Sequence, residues 1–266
     1  MQPNTLKRRV FISAAIGLPL LSVHAQVSDL SDAINKAGRQ RMLSQRMGKA
    51  WLALVHGVEV TSAQQVLDKS MALFDRQLVE LKAYASTPDI QGTYGKLDTA
   101  WSAYKAALVG TAPAREGAAA LLQLDERVLA LANQGTLQYE AVQGKPLGKL
   151  VNIAGRQRML SQRMAMYFLA ARLQVNTAVA AAEVEKSRAE FVNAMAQLRN
   201  APQTNERIRS ELELADGQWV FFNSALQKVN ATSSNSTRPL AEVFMASENL
   251  LTVMDRVTSL YSAIKT

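Results

Sequence analysis

Cysteine is absent from this chain of 266 residues, and histidine occurs twice, at His24 and His56. The missing thiol excludes disulfide bridges, thiolate metal sites, covalently attached c-type haem and a cysteine nucleophile. Two histidines 32 positions apart have no metal-ligand spacing on a helix. No Ser-His-Asp arrangement and no glycine-rich phosphate loop occurs either. We therefore expect neither an enzyme nor a metal or cofactor site.

Aromatic residues are scarce, at 6%, and runs of Lys and Arg interleaved with aromatics are missing, although the formal net charge is +8. This composition disfavours a nucleic-acid surface. Long hydrophobic runs are also missing; the apolar stretch from Val10 to Leu21 is short for a membrane span. Because it follows Lys7-Arg8-Arg9 and precedes Val23-His24-Ala25, residues 1–25 are predicted to be an export signal, of the ordinary secretory or the twin-arginine type. We expect a periplasmic protein, anchored only if the signal is not cleaved.

Helical periodicity covers almost all of the remaining chain, which predicts an all-α fold. Proline and glycine clusters divide the chain into eight helices, four before Gly144 and four after it. We predict two tandem antiparallel four-helix units related by pseudo-two-fold symmetry, at residues 26–143 and 149–266, with a linker at 144–148. Trp101 and Trp219 repeat at about the same spacing as the two units and are expected to be core residues.

One eleven-residue string, AGRQRMLSQRM, occurs twice without a change, at 37–47 and 154–164. A structural repeat needs only its hydrophobic pattern, so the identity of three arginines and two glutamines points to shared ligand chemistry. On a helical wheel Arg39 and Arg46 fall inside the apolar arc, and Gly38, Met42 and Arg46 share one strip. We call this string the repeated motif.

The wheel places Arg41 and Gln45 beside Ile34 and Leu52, and Gln40 and Ser44 on a more polar side. An arginine on an apolar seam is costly unless it is neutralised. A carboxylate on another helix could supply the negative charge, and so could a planar anion that matches the guanidinium fork. The sequence leaves both possibilities open.

The start of each unit resembles a known family of sensor domains. The string from Asp32 to Gly38, followed by Arg41-Met42 and Ser44-Gln45-Arg46, is similar to the periplasmic domain of NarX-type nitrate/nitrite sensor kinases and to PilJ-type domains of chemoreceptors. The stretch from Asn152 to Met164 is closer to the PilJ-type form. The resemblance covers nearly the whole chain after residue 25 as two copies and implies four-helix bundles.

In the kinases one nitrate lies between the motif helices of two subunits. The resemblance implies that Arg46 and Arg163 bind it here, together with the backbone at Gly38 and Gly155, and that the two arginines meet across the pseudo-axis. Two further positions of the motif belong to the expected ligand-binding set. These are the extra arginines Arg39 and Arg156, which the kinase pattern lacks, and the methionines Met42 and Met159.

The leading hypothesis is a non-enzymatic, exported binding protein for a small oxyanion, nitrate or nitrite, held between the two motif helices. The alternative is a helical interaction module that docks onto a membrane receptor, a sensor kinase or a pilus-associated chemosensory system. A third interpretation is a structural helical protein whose arginines are all paired internally. The sequence does not decide whether the copies form one site within a chain or two sites in a dimer.

Overall fold

The computed structural model describes residues 26–227 and 236–265, and within them the fold is all-α. The predicted export signal lies outside the described residues. Eight α-helices and one short 3-10 turn, at Arg115–Gly117, make up the described part. The helices are α1 (Leu30–Val55), α2 (Val60–Tyr84), α3 (Pro88–Val109), α4 (Ala118–Gln143), α5 (Pro146–Arg172), α6 (Thr177–Asn200), α7 (Glu206–Gln227) and α8 (Arg238–Ser262). The predicted fold class and number of helices are confirmed.

The helix boundaries follow from ordinary capping chemistry. The side chain of Asp29 accepts a hydrogen bond from the backbone N–H of Asp32 and caps α1. Proline occupies the first turn of α5 at Pro146, where its missing N–H costs nothing. Since α4 ends at Gln143 and α5 begins at Pro146, the break between the two units is shorter than the predicted linker at 144–148.

Helices α1 to α4 form one unit and α5 to α8 form the other, and the helices of the two units pack in the same pattern. In each unit the first helix packs on the second and the fourth, and the third packs on the fourth. The first helices, α1 and α5, also pack extensively on each other along the centre of the molecule. Gln45 contacts Arg163 and His56 contacts Leu169, so the two helices run parallel, as a two-fold axis along them requires.

This central position buries α1 and α5 on nearly every side. Gln40 and Ser44, which the wheel assigns to a more polar side, are fully buried, and so are their counterparts Gln157 and Ser161. The wheel fails here because it assumes one apolar face, whereas α1 contacts α2, α4, α5 and α8 at once.

The two tryptophans are packing residues of the helices around this centre. Trp101 stacks on Phe74 with ring centroids 4.2 Å apart, and Trp219 stacks on Phe191 at 4.5 Å. The stacked pairs occupy equivalent places in the two units, which supports the pseudo-symmetry. No helix in the described part of the chain is both long and apolar enough to cross a membrane.

Candidate functional site

Arg46 lies in a groove between α1, α2 and α8. Its guanidinium group donates to both carboxylate oxygens of Glu248 and, at 3.3 Å, to the hydroxyl of Ser70. Glu248 also accepts a hydrogen bond from Lys49 at 2.6 Å. Burial raises the pKa of Glu248, but the charges of Lys49 and Arg46 outweigh it and lower that pKa to about 2. Arg46 is therefore neutralised from within the protein.

Arg163 lies in the equivalent groove between α5, α6 and α4. It donates to Glu126 at 2.6 Å, to Glu183 at 2.8 Å and to the side-chain oxygen of Gln45 at 3.2 Å. Two carboxylates and one amide therefore satisfy this guanidinium.

The expectation that Arg46 and Arg163 meet across the pseudo-axis is not met. Arg46 reaches α2 and α8, whereas Arg163 reaches α4 and α6, and these partners belong to two equivalent grooves. The physical reason is that carboxylates on the fourth helix of each opposite unit, Glu248 and Glu126, draw the arginines away from the axis.

The extra arginines of the motif lie in the same two grooves. Arg39 donates to Asp255 of α8 at 3.0 Å. Arg156 forms an ion pair with Glu190 of α6 and donates to the side-chain oxygen of Asn133 at 3.3 Å. Each groove is thus lined by two motif arginines.

The motif arginines that do meet at the centre are Arg41 and Arg158. A Cβ atom added at Gly38 would lie 3.1 Å from Nη2 of Arg41 and 3.7 Å from Nη2 of Arg158. A Cβ atom at Gly155 would lie 3.1 Å from Nη2 of Arg158. The two glycines therefore make room for these guanidinium groups.

The resemblance did not predict a role for Arg41 and Arg158, because the nitrate site of the kinases uses the later arginine of the motif. The helical wheel did indicate that Arg41 is buried, because it placed Arg41 next to Ile34 and Leu52, and both of these residues are fully buried.

The two central arginines reach across the interface in mirrored fashion. Nη2 of Arg41 donates to the side-chain oxygen of Asn152 on α5, at 2.7 Å. Nη2 of Arg158 donates to the backbone oxygen of Asn35 on α1, at 3.0 Å. Arg41 is 1% exposed and Arg158 is 0% exposed, so both charges are cut off from water.

The counter-ions of these two arginines differ. Arg158 donates to Asp255 at 2.5 Å, whereas Arg41 donates at 2.9 Å to Asn133, a neutral amide. Within the described part of the chain no carboxylate contacts Arg41; Glu140 is one side chain away, bonded to Asn152. Burial, together with the charges of Arg156 and Arg158, lowers the pKa of Arg41 to about 9, although the more distant charges of Glu140 and Glu190 raise it. Arg41 is a buried cation without a direct counter-ion, which is costly.

A cavity of about 220 Å³ opens between α4, α5 and α6. Three of the predicted site residues, Arg156, Met159 and Arg163, line it together with Asn133. The carboxylates that pair with the two arginines, Glu126, Glu183 and Glu190, also line it. Since Asn133 also accepts the hydrogen bond from Arg41, its amide group lies between the cavity and the buried charge. Met42, the counterpart of Met159 in the first motif copy, is also buried. The described residues contain no group of three potential metal ligands.

Comparison with known proteins identifies the family. Residues 23–136 and 141–258 each match the family described as PilJ, the N-terminal region of type IV pili methyl-accepting chemotaxis transducers. The chain belongs to the PilJ family. No curated protein and no solved structure matches it. The match confirms the PilJ-type part of the resemblance and the tandem repeat, whereas the NarX-type part stays a prediction.

PilJ membership makes the protein a sensory or interaction module of chemosensory type, and the family is not a catalytic one. The two matched copies correspond closely to helices α1 to α4 and α5 to α8. One polypeptide therefore carries both motif helices, and the central packing of α1 on α5 lies between the two PilJ units.

Proposed function

We propose that the protein is an exported, periplasmic sensory module that binds a small monovalent oxyanion, nitrate or nitrite, in the cavity between α4, α5 and α6. PilJ membership and the export signal predicted at residues 1–25 support this setting. The observation that carries the proposal is the charge of Arg41, which is buried and has no carboxylate in contact. An anion next to Asn133 would offset that charge.

The donors around the cavity suit an oxyanion. Arg156 lines the cavity and already shares the side-chain oxygen of Asn133 with Arg41. A guanidinium fork presents paired N–H groups to planar oxygens. Of these three arginines, Arg41 is the one that no carboxylate of the described residues contacts, since Arg156 is paired with Glu190 and Arg163 with Glu126 and Glu183. One uncompensated charge favours a monovalent ligand.

Titration calorimetry with nitrate, nitrite and chloride tests the proposal, with Arg41→Gln compared with Arg158→Gln. Both arginines come from the same motif position and are equally buried, but only Arg158 contacts a carboxylate. We expect Arg41→Gln to weaken nitrate binding by at least about tenfold, because it removes the uncompensated charge. Arg158→Gln should retain affinity within about threefold.

Circular dichroism of both variants checks that each one is folded. The proposal is wrong if the unmodified protein releases or absorbs no heat with any of these anions. It is also wrong if both variants bind nitrate as the unmodified protein does.

A second candidate function is docking onto the extracytoplasmic part of a chemotaxis transducer. Helix α7 exposes Leu214 and Phe221, seven residues apart and 55% and 68% exposed, whereas the equivalent positions of α3 are Lys96 and Ala103. Size-exclusion chromatography with a purified transducer domain tests it. Docking predicts co-elution that Phe221→Ser abolishes and Arg41→Gln leaves intact; separate elution of the unmodified protein contradicts it.

A further inference from the structure

The two units can be compared position by position through their fourth helices. Glu126 of α4 binds Arg163, and Glu248 of α8 binds Arg46. The two glutamates are 122 positions apart. Arg46 and Arg163 are the last arginines of the two motif copies and are therefore equivalent. Because the two glutamates contact equivalent arginines, residues of α4 and α8 that are 122 positions apart can be treated as counterparts.

The same offset relates Tyr139 and Tyr261. Tyr139 donates its hydroxyl hydrogen to the backbone oxygen of Leu81, and Tyr261 donates to that of Leu198. These acceptors lie in the last turns of α2 and α6. The alignment of α4 with α8 therefore holds along the length of both helices.

Under this alignment Asn133 is the counterpart of Asp255. Asp255 Oδ1 accepts from Nη2 of Arg39 at 3.0 Å and from Nη1 of Arg158 at 2.5 Å. One carboxylate oxygen thus joins a motif arginine of α1 to a motif arginine of α5.

Asn133 makes the mirrored contacts with a neutral group. Its Oδ1 atom accepts from Nη1 of Arg41 at 2.9 Å and from Nη1 of Arg156 at 3.3 Å. Asparagine and aspartate have the same shape, so at this position the two halves differ in charge alone. Arg158 therefore has a carboxylate in contact at this position, whereas Arg41 has a neutral amide. The halves also differ elsewhere, since Glu190 and Glu183 pair with Arg156 and Arg163 in the half at Asn133, and Lys49 contacts Glu248 in the half at Asp255.

We infer that Asp255 is an internal counter-ion that closes its half of the molecule to ligands, so that each chain binds one anion, at the Asn133 half. The inference rests on the proposed function and deepens it, because it names the residue pair that fixes the stoichiometry. In a PilJ protein with two identical motifs, this pair makes the contacts of the two central arginines unequal.

The test is nitrate calorimetry and thermal unfolding on the unmodified protein, Asn133→Asp, and the exchange variant Asn133→Asp with Asp255→Asn. The unmodified protein should bind one nitrate per chain. Asn133→Asp should weaken binding by about 100-fold or more, because its carboxylate repels the anion and takes its place beside Arg41. It should also raise the melting temperature in anion-free buffer, since it neutralises a buried cation. The exchange variant should regain binding at one nitrate per chain.

The possible failures are distinguishable. If the unmodified protein binds no nitrate, the proposed function fails. If it binds nitrate and Asn133→Asp binds it equally well, the inference about the pair is wrong. A stoichiometry of two in the unmodified protein also overturns it. Asn133→Asp removes no contact, so its result stands even if the exchange variant does not fold.

Discussion

Replacing Glu248 with glutamine is expected to lower the free energy of unfolding by about 3 to 5 kcal/mol, the cost of leaving a buried charge without its partner. Lys49 is 0% exposed, and Glu248 is the carboxylate that contacts it. Burial lowers the pKa of Lys49 to about 8 against the opposing charge of Glu248. Glutamine would keep the shape of the side chain but remove the charge that holds both Lys49 and Arg46.

Glu126→Gln is the matched control, measured by the same urea denaturation at pH 7. Glu126 occupies the equivalent position, but its side chain is 41% exposed, and Met166 stands where the first unit has Lys49. Arg163 also keeps Glu183 as a partner. The control should therefore cost about 1 kcal/mol or less. Equal losses in the two variants would contradict the assignment of Lys49 as the cation that Glu248 holds.

Raising the pH from 5 to 8 is expected to reduce the free energy of unfolding by roughly 2 to 3 kcal/mol through Asp125 alone. Asp125 is fully buried and accepts a hydrogen bond from Gln45 at 2.5 Å. Burial, with the nearby charge of Glu126, raises its pKa from 3.8 to about 7. The folded state therefore holds a proton that the unfolded state releases near pH 4, and stability is lost as the pH rises through 7.

Asp125→Asn is the variant that isolates this effect in urea denaturation curves at pH 5, 6, 7 and 8. Asparagine has no proton to lose, so the expected loss should disappear from its curve. His56, whose pKa burial lowers, acts in the opposite direction but is present in both proteins. Parallel pH profiles for the two proteins would show that Asp125 does not titrate in this range.

The fold could be predicted because it depends on local signals. Helical periodicity, the cap at Asp29 and the breakers at Gly144 and Pro146 act over a few residues. The exact repetition of the motif then indicated two units. The burial of α1 and α5 on all sides could not be predicted from the sequence, because it depends on how the two units pack together.

The central position of the two motif helices was predicted, but the contacts of their arginines were not. The motif was rightly singled out as the meeting point of the units, but the wheel could not tell which arginine faces the other unit. That choice depends on carboxylates far away in sequence, since Glu248 lies about 200 positions from Arg46. Charge pairing across units therefore decided the geometry, and a single helix could not reveal it.

The helical wheel of the motif could not predict the difference between Asn133 and Asp255 either. Both residues lie on fourth helices, outside the repeated motif, and their equivalence follows only from the contacts of Arg41 and Arg158. The identity of the two motif copies suggested a symmetric site, whereas the surroundings make it asymmetric.

A crystal structure of the protein grown with nitrate tests the central claim most directly. It should show one planar anion per chain in the cavity between α4, α5 and α6, within hydrogen-bond distance of Arg156 and Asn133. The groove at Asp255 should hold none. Nitrate bound between Arg46 and Arg163, nitrate in both grooves, or empty grooves at saturating nitrate would contradict the account.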